Sequence, residues 1–348
     1  MEKVKIGLIG LGFMGTTHFG IYQALANAEI TAIAEIDADK RSGDISKVSG
    51  NLENGAGAKL DMSSIKAYDN ALDLIADPDI DVVDICIPTP FHADLIVTAL
   101  AAGKHVFCEK PLCLDKTELE KITKAVKGSG KYFNLGMCVR AWPEYRHAYE
   151  YYKSGRAGAV RSATFKRISP SVDGNGWENW YMKEAMSRGA ILDLHMHDAD
   201  LVRYFFGRPK SLNAFGVRGV TSDNGIDHCI CIYDYSDGSL ISAEGGWAPA
   251  KGAAFEMSFT IVCEKATLKM DSTGYHVFET NGNVITPEMP ADLPTGWHQE
   301  LAYFVDCVQK GVTPDKYQNI DEIEDSYRML LAEIESIDTK KTVEVKYV

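Results

Sequence analysis

The chain has 348 residues, 45% hydrophobic and 24% charged, with a net charge of −13. That length suits two domains of ordinary size and a substantial core, and an acidic balance this large excludes a broad phosphate-binding surface, so no nucleic-acid partner is expected. There is no signal-peptide pattern and no run of about 18 apolar residues, so no membrane partner is expected. The eight cysteines contain no Cys-x-x-Cys pair, which makes a reducing cytoplasm the expected compartment.

Val4 to Gly10 reads as a buried strand, Phe13 to Ala28 as a helix and Ile30 to Ile36 as a second strand. Further strands are expected at Asp81–Ile87 and Lys104–Cys108, with a helical run from Phe91 to Ala102 between them. Asp115, followed three residues later by Glu118, is a capping-box pattern that opens another helix. Tyr132–Met137 reads as one more strand. Strands alternating with helices give a doubly wound parallel sheet of Rossmann type over residues 1–138.

The pattern changes over residues 139–348. Arg161–Ile168, Cys229–Tyr235, Ser239–Glu244, Glu256–Cys263 and Thr267–Met270 read as successive strands, with hairpin signals at Asp237-Gly238 and Asn281-Gly282. This predicts an α+β substrate-binding domain with a mostly antiparallel open sheet, whose free face suggests a homodimer or homotetramer. A charged helical pattern near 321–336 is a candidate to pack back on the first domain.

Gly10-Leu11-Gly12-Phe13-Met14-Gly15 is G-x-G-x-x-G. It follows a strand and opens a helix, the context in which the hexapeptide binds a dinucleotide. Gly10 would make the tight turn, Gly12 would let the backbone approach the pyrophosphate, and Gly15 would let helix and strand pack closely. Free N–H groups of this segment, those of Phe13 and Met14 included, and the helix dipole would hold the anion. Glu35, twenty residues beyond Gly15, would accept hydrogen bonds from the adenosine ribose and repel a 2′-phosphate, which favours NAD over NADP.

Three further stretches complete a pattern. They are Ile87-Pro88-Thr89-Pro90-Phe91-His92, Gly103-Lys104-His105-Val106-Phe107-Cys108-Glu109-Lys110-Pro111, and Gly189-Ala190-Ile191-Leu192-Asp193-Leu194-His195-Met196-His197-Asp198-Ala199-Asp200. With the glycine motif they resemble the glucose–fructose oxidoreductase, inositol dehydrogenase and MocA (Gfo/Idh/MocA) family. The resemblance covers nearly the whole chain, and it is strongest to about residue 140 and around 189–207. It implies that Lys110 is catalytic, at the rim between cofactor and substrate, with Asp193 and His197 as partners. It also implies that Thr89, Pro90 and His92 line the nicotinamide side and that Glu109 lies near the cofactor. The family's glycine between Asp and His is His195 here, which points away from inositol dehydrogenase itself and toward another branch, such as one acting on glycosides or amino sugars.

Oxidising a secondary alcohol needs a hydride acceptor, a base for the hydroxyl proton and a stabiliser of the alkoxide. The cofactor supplies the first. Asp193 and His197, spaced i, i+4, would share one face of a helix, and the carboxylate could orient the imidazole. Either His197 or Lys110 could take the proton; His197 as base with Lys110 as electrostatic stabiliser is the favoured assignment. His195 and His197, spaced i, i+2, diverge on a helix, so no metal is expected despite the nearby Asp198 and Asp200. Trp142, Trp177 and Trp180 are candidate sugar-stacking aromatics, and Arg140, Arg167, His195 and His298 are candidate substrate contacts. The expectation is an NAD-dependent dehydrogenase acting on the CH–OH of a sugar, glycoside or cyclic polyol. The alternatives are a glycosidase that oxidises its substrate transiently and recycles its cofactor, a cofactor-sensing binding protein without catalysis, and a metal-dependent hydrolase using His195 and His197.

Overall fold

The computed structural model describes residues 2–48, 59–289 and 294–348. Two compact units emerge. Met1–Cys138, Gly174–Trp180 and Gly296–Ile323 form the first; Val139–Asp173, Tyr181–Thr295 and Glu324–Val348 form the second. One division between the units falls at 138/139, and two later segments cluster with the first unit, which a single cut in the sequence does not convey.

In the first unit the chain runs β1 (Val4–Ile9), α1 (Phe13–Ala24), β2 (Ala28–Ala34), α2 (Ala38–Arg41), β3 (Lys66–Tyr68), α3 (Ala71–Ala76), β4 (Val82–Ile85), α4 (His92–Ala101), β5 (His105–Cys108), α5 (Lys116–Ser129) and β6 (Phe133–Leu135). The six strands are parallel in the order β3-β2-β1-β4-β5-β6. The order reverses between β1 and β4, the point at which open α/β sheets bind nucleotides beyond their carboxyl ends. β4 is buried along its whole length, as a central strand covered on both faces must be. The first helix is shorter than its apolar pattern predicts. Leu25 turns extended at the end of α1, and the Asn27 carbonyl accepts from the Val4 N–H, so β2 starts at Ala28 rather than Ile30. β2 also stops at Ala34, leaving Ile36 exposed. At the start of α5 the Asp115 carboxylate accepts from the Glu118 N–H, and Glu118 accepts in turn from the Leu114 N–H.

The second unit contains α6 (Pro143–Lys153), β7 (Val160–Ile168), α7 (Glu184–Ser187), a π-helical turn (Ile191–His195) leading directly into α8 (Met196–Phe206), β8 (Ser211–Arg218), β9 (Ile226–Asp234), β10 (Leu240–Gly246), β11 (Glu256–Cys263), β12 (Ala266–Asp271), β13 (Gly274–Glu279) and β14 (Val284–Ile285). After these come α9 (Gly296–Lys310), which belongs to the first unit, α10 (Ile320–Thr339) and β15 (Val343–Glu344). Nine strands make one sheet in the order β14-β13-β12-β11-β7-β10-β9-β8-β15. Every pairing is antiparallel except β7 with β10.

Alternation along β9 shows how this sheet is built. Cys229, Cys231 and Tyr233 are buried, while Ile230 and Ile232 between them are exposed. The buried face carries the π turn, α8 and the part of α10 that belongs to this unit, with Ser336 of α10 accepting from the Ala214 N–H of β8. The open face presents Phe215, Val217, Ile230, Ile232 and Leu240, with Phe215 62% and Leu240 65% exposed. Gly207 stops α8 at a φ of 87°, as its place after the last apolar residue predicts. No helix among the described residues is long and apolar enough to cross a membrane.

Candidate functional site

The glycine motif of the first unit lies where β1 hands the chain to α1. Gly10 has a φ of 91°, and a methyl group there would sit 2.5 Å from the Cys86 carbonyl oxygen. A methyl at Gly15 would run into the Gly10 carbonyl. Both positions therefore require glycine, for the turn and for the helix–strand approach. Gly12 differs: a methyl there meets nothing within 4 Å. Gly12 is also the N-cap of α1 and makes no side-chain cap, so the first N–H groups of the helix, at Phe13 and Met14, are not capped by it. That is the open, donor-rich cradle an anionic pyrophosphate needs.

Glu35 closes the cradle. One carboxylate oxygen accepts from the Leu11 N–H at 2.7 Å and the other from the Asp37 N–H at 2.9 Å. The acidic group is thus held against the glycine loop by the backbone on either side. Arg41, a cation nearby that could have welcomed a 2′-phosphate, instead donates to the Glu35 and Ile36 carbonyls.

A buried charge network beneath this loop had no counterpart in the motif reading. His18, on α1, faces Asp84 of β4 at 2.8 Å through Nδ1 and Glu109 at 3.1 Å through Nε2. Burial works against a charge on this imidazole. The Cys86 sulfur and the Asp84 carboxylate outweigh it and hold its pKa well above the ordinary value. Glu300 of α9 is also buried, and burial, reinforced by Glu109, raises its pKa well above the ordinary carboxylate value. Asp84 in the middle of an otherwise apolar strand was the available signal, since a carboxylate in a central strand must have a partner.

Glu109 extends the network to the loop after β5, where its other oxygen accepts from the Lys110 N–H at 3.1 Å. The Lys110–Pro111 peptide is cis. Lys110 itself is half-buried. His92 is fully buried, with Nδ1 2.7 Å from the Pro111 carbonyl and Nε2 2.7 Å from the Ile87 carbonyl. Burial lowers its pKa, and the two carbonyls oppose that. Rather than presenting its ring to a ligand, His92 fastens the loop after β4 to the loop after β5. Thr89 is buried beside it and Pro90 half-buried. Trp177 is exposed and meets Phe91 edge to face, Trp180 is buried, and His298 lies half-buried on α9.

In the second unit Asp193 lies in the π turn and His197 in the first turn of α8. The expected regular helix through both is replaced by a segment with one residue of extra slack, a feature frequent at functional positions. Both side chains are largely buried, and His195 between them is fully so. Arg140 is a buried structural cation: its Nε and Nη2 each lie 2.7 Å from the Asp200 carboxylate, its guanidinium covers the Tyr204 ring, and Ser326 donates to the same carboxylate. Arg167 pairs with Asp198 at 2.8 Å in the same way. Burial raises the Asp198 pKa and Arg167 pulls it back. Trp142 is the N-cap of α6 and half-buried.

These features coincide with matches to known proteins. Residues 4–137 match the family model described as an oxidoreductase family with an NAD-binding Rossmann fold, and residues 145–269 match the C-terminal domain of the same Gfo/Idh/MocA family. The chain belongs to the Gfo/Idh/MocA oxidoreductases and carries their NAD-binding Rossmann domain. It is 30% identical over 220 residues to levoglucosan dehydrogenase of Pseudarthrobacter phenanthrenivorans, and 28% identical over 207 residues to myo-inositol 2-dehydrogenase of Thermotoga maritima. Those alignments cover 62% and 59% of this chain, and they span about half of each relative, 54% and 55%. Among solved structures, a levoglucosan dehydrogenase complex with NADH and levoglucosan superposes with a TM-score of 0.84 at 22% identity, over 99% of this chain and 100% of the other. Myo-inositol 2-dehydrogenase from Lactobacillus plantarum gives 0.80 at 23%, also over 99% and 100%. At those identities the likeness is one of fold.

Proposed function

We propose that this chain is an NAD-dependent dehydrogenase that transfers a hydride between the nicotinamide and a secondary alcohol or ketone of a sugar, glycoside or cyclic polyol. The observation that carries the reading is a complete cofactor-binding loop, Gly10 to Gly15 with Glu35 held against it, in a chain that also keeps Glu109-Lys110-Pro111, Asp193 and His197. The named relatives act on an anhydrosugar and on a cyclic polyol, both rich in secondary hydroxyls.

Gly10, Gly12, Phe13, Met14 and Gly15 bind the pyrophosphate, and Glu35 binds the adenosine ribose; NAD supplies the hydride acceptor. Glu109 positions the Lys110 backbone and Thr89 and Pro90 lie on the same side, with His92 as the staple beneath them. Lys110 hydrogen-bonds the reacting hydroxyl and stabilises its alkoxide. His197 takes the proton, and Asp193 holds the imidazole in the tautomer that can accept it. Arg140 and Arg167 are left out of the substrate contacts, because each is committed to a buried carboxylate. His195 is left out as well, being fully buried. Trp142, Trp177 and His298 remain as candidates to stack on or bond the sugar. The apolar open face of the nine-stranded sheet is assigned to a homodimer, since a contiguous patch of this kind is rarely left to water. None of the eight cysteines is in a disulfide, and the proposed compartment is the cytoplasm.

The test is growth of the reduced-nicotinamide absorbance with pure protein, NAD or NADP, and a panel of inositols, aldoses, glycosides and anhydrosugars. Turnover with NAD and one substrate class supports the reading; NAD binding without turnover of any member overturns it for that panel. Glu35→Gln removes the charge and keeps one acceptor oxygen for one of the two backbone N–H groups. It is expected to lower the preference for NAD over NADP by about tenfold, the scale of one lost like-charge repulsion. An unchanged ratio would place the discrimination elsewhere.

A further inference from the structure

Cys229 and Cys231 are alternate residues on the buried side of β9, and His195 ends the π turn packed on that side. One ring nitrogen of His195 and the two Sγ atoms lie within 4.8 Å of one another, and all three residues are fully buried. The neighbouring strands make room for them. Gly245 and Ala243 of β10, and Gly216 and Ala214 of β8, are the register partners of the two cysteines. A methyl group at Gly245 would sit 2.8 Å from Nδ1 of His195.

The histidine is oriented by a carboxylate. Its Nε2 lies 3.1 Å from Oε2 of Glu333, whose other oxygen accepts the Tyr233 hydroxyl at 2.7 Å. Its Nδ1 is buried without a hydrogen-bond partner. An imidazole held by a carboxylate and packed beside two thiols has the arrangement of a metal ligand oriented by its outer carboxylate. A second compact group, His18 with Asp84 and Cys86, offers one sulfur instead of two, and its ring nitrogens lie 2.8 and 3.1 Å from the Asp84 and Glu109 carboxylates.

We propose that His195, Cys229 and Cys231 bind a thiophilic d10 cation, Zn2+ or Cu+, with Glu333 orienting the histidine from behind. Thiolate and imidazole donors select such ions over Mg2+ or Ca2+. Bond lengths of about 2.3 Å to sulfur and 2.0–2.1 Å to nitrogen place tetrahedral ligand atoms roughly 3.4–3.8 Å apart. The three atoms therefore need to close in by about 1.4 Å at most. Binding displaces two thiol protons. The ion ties β9 to the π turn that carries Asp193 and leads into His197. It is a structural ion, and no step of the reaction passes through it. This differs from the expectation of no metal, which weighed His195 with His197 and not with cysteines thirty-odd residues away.

Tag-free protein is produced in medium supplemented with zinc and copper, and separately with cobalt, so that the ion is present while the site folds. It is then dialysed exhaustively and analysed for metals. About one equivalent of zinc or copper per chain is expected, and which of the two is retained identifies the ion. The cobalt form is expected to show a near-ultraviolet sulfur-to-cobalt charge-transfer band. Cys229→Ser and Cys231→Ser should each abolish both the band and the retained metal, while Cys86→Ser leaves them. Protein that retains no metal, or metal that survives both serine changes, overturns the proposal. If the serine variants do not fold, the metal content and cobalt spectrum of the unaltered chain decide it. None of these readouts depends on dehydrogenase activity, so failure here leaves the proposed function standing, and the reverse holds too.

Discussion

Lys110→Met lowers kcat/KM for the sugar by about 10²–10⁴-fold, the usual worth of a positioned acid–base or charge-stabilising group, while NADH binding followed by nicotinamide fluorescence is unchanged. His197→Asn falls in the same range. Asp193→Asn falls less, because the imidazole is still present and only its orientation is lost. The Lys110→Met/His197→Asn double variant falls by less than the product of the two, since groups that act as one unit are not additive. A Lys110→Met protein of full activity would make the Glu109-Lys110-Pro111 loop purely structural and would leave His197 to act without it.

The second large effect concerns stability. Arg140 is 1% exposed and bidentate to a buried Asp200. Removing either partner alone strands a charge in the core. Arg140→Met or Asp200→Leu is expected to cost about 3–5 kcal/mol. For a unit of this size that lowers the melting temperature by roughly 6–20 °C. The double variant should recover most of the loss, because two apolar side chains leave no orphaned charge behind. Single variants that melt with the parent would show that the pair is dispensable, and Arg140 would return to the list of substrate contacts.

Much of the first unit was legible in the sequence because its signals are local. The glycines of Gly10 to Gly15 sit between a strand and a helix, and the conformations that demand them are set within a few residues. Asp115 with Glu118, and Gly207 at the end of α8, are local in the same sense. Asp237-Gly238 lies between β9 and β10, both expected as strands, whereas β13 and β14, on either side of Asn281-Gly282, are not among the strands expected from the sequence. β8 has no such turn signal of its own, and the parallel pairing of β7 with β10 joins residues about 80 apart, which no short-range pattern encodes.

The network of His18, Asp84 and Glu109 was hidden for the same reason, since it unites a helix and two strands that meet only in the fold. The π turn at Ile191–His195 was read as regular helix because one residue of slack barely disturbs an apolar pattern. In the sequence Arg140 and Arg167 read as candidate substrate contacts because their carboxylate partners, Asp200 and Asp198, lie 60 and 31 residues away. Residues 174–180 and 296–323 carry nothing in their composition that says which unit they join.

The most direct test follows an isotope. Myo-inositol and levoglucosan carrying deuterium at the carbinol carbons are incubated with the protein and NAD, and the coenzyme is examined by NMR. The account predicts that deuterium from one of them arrives at C4 of the nicotinamide without washing into water and accumulates as reduced coenzyme. Coenzyme that stays unlabelled would contradict it. Label that returns to a cleaved glycoside with no net reduction, on a glycosidic substrate, would contradict it in favour of the redox-recycling glycosidase.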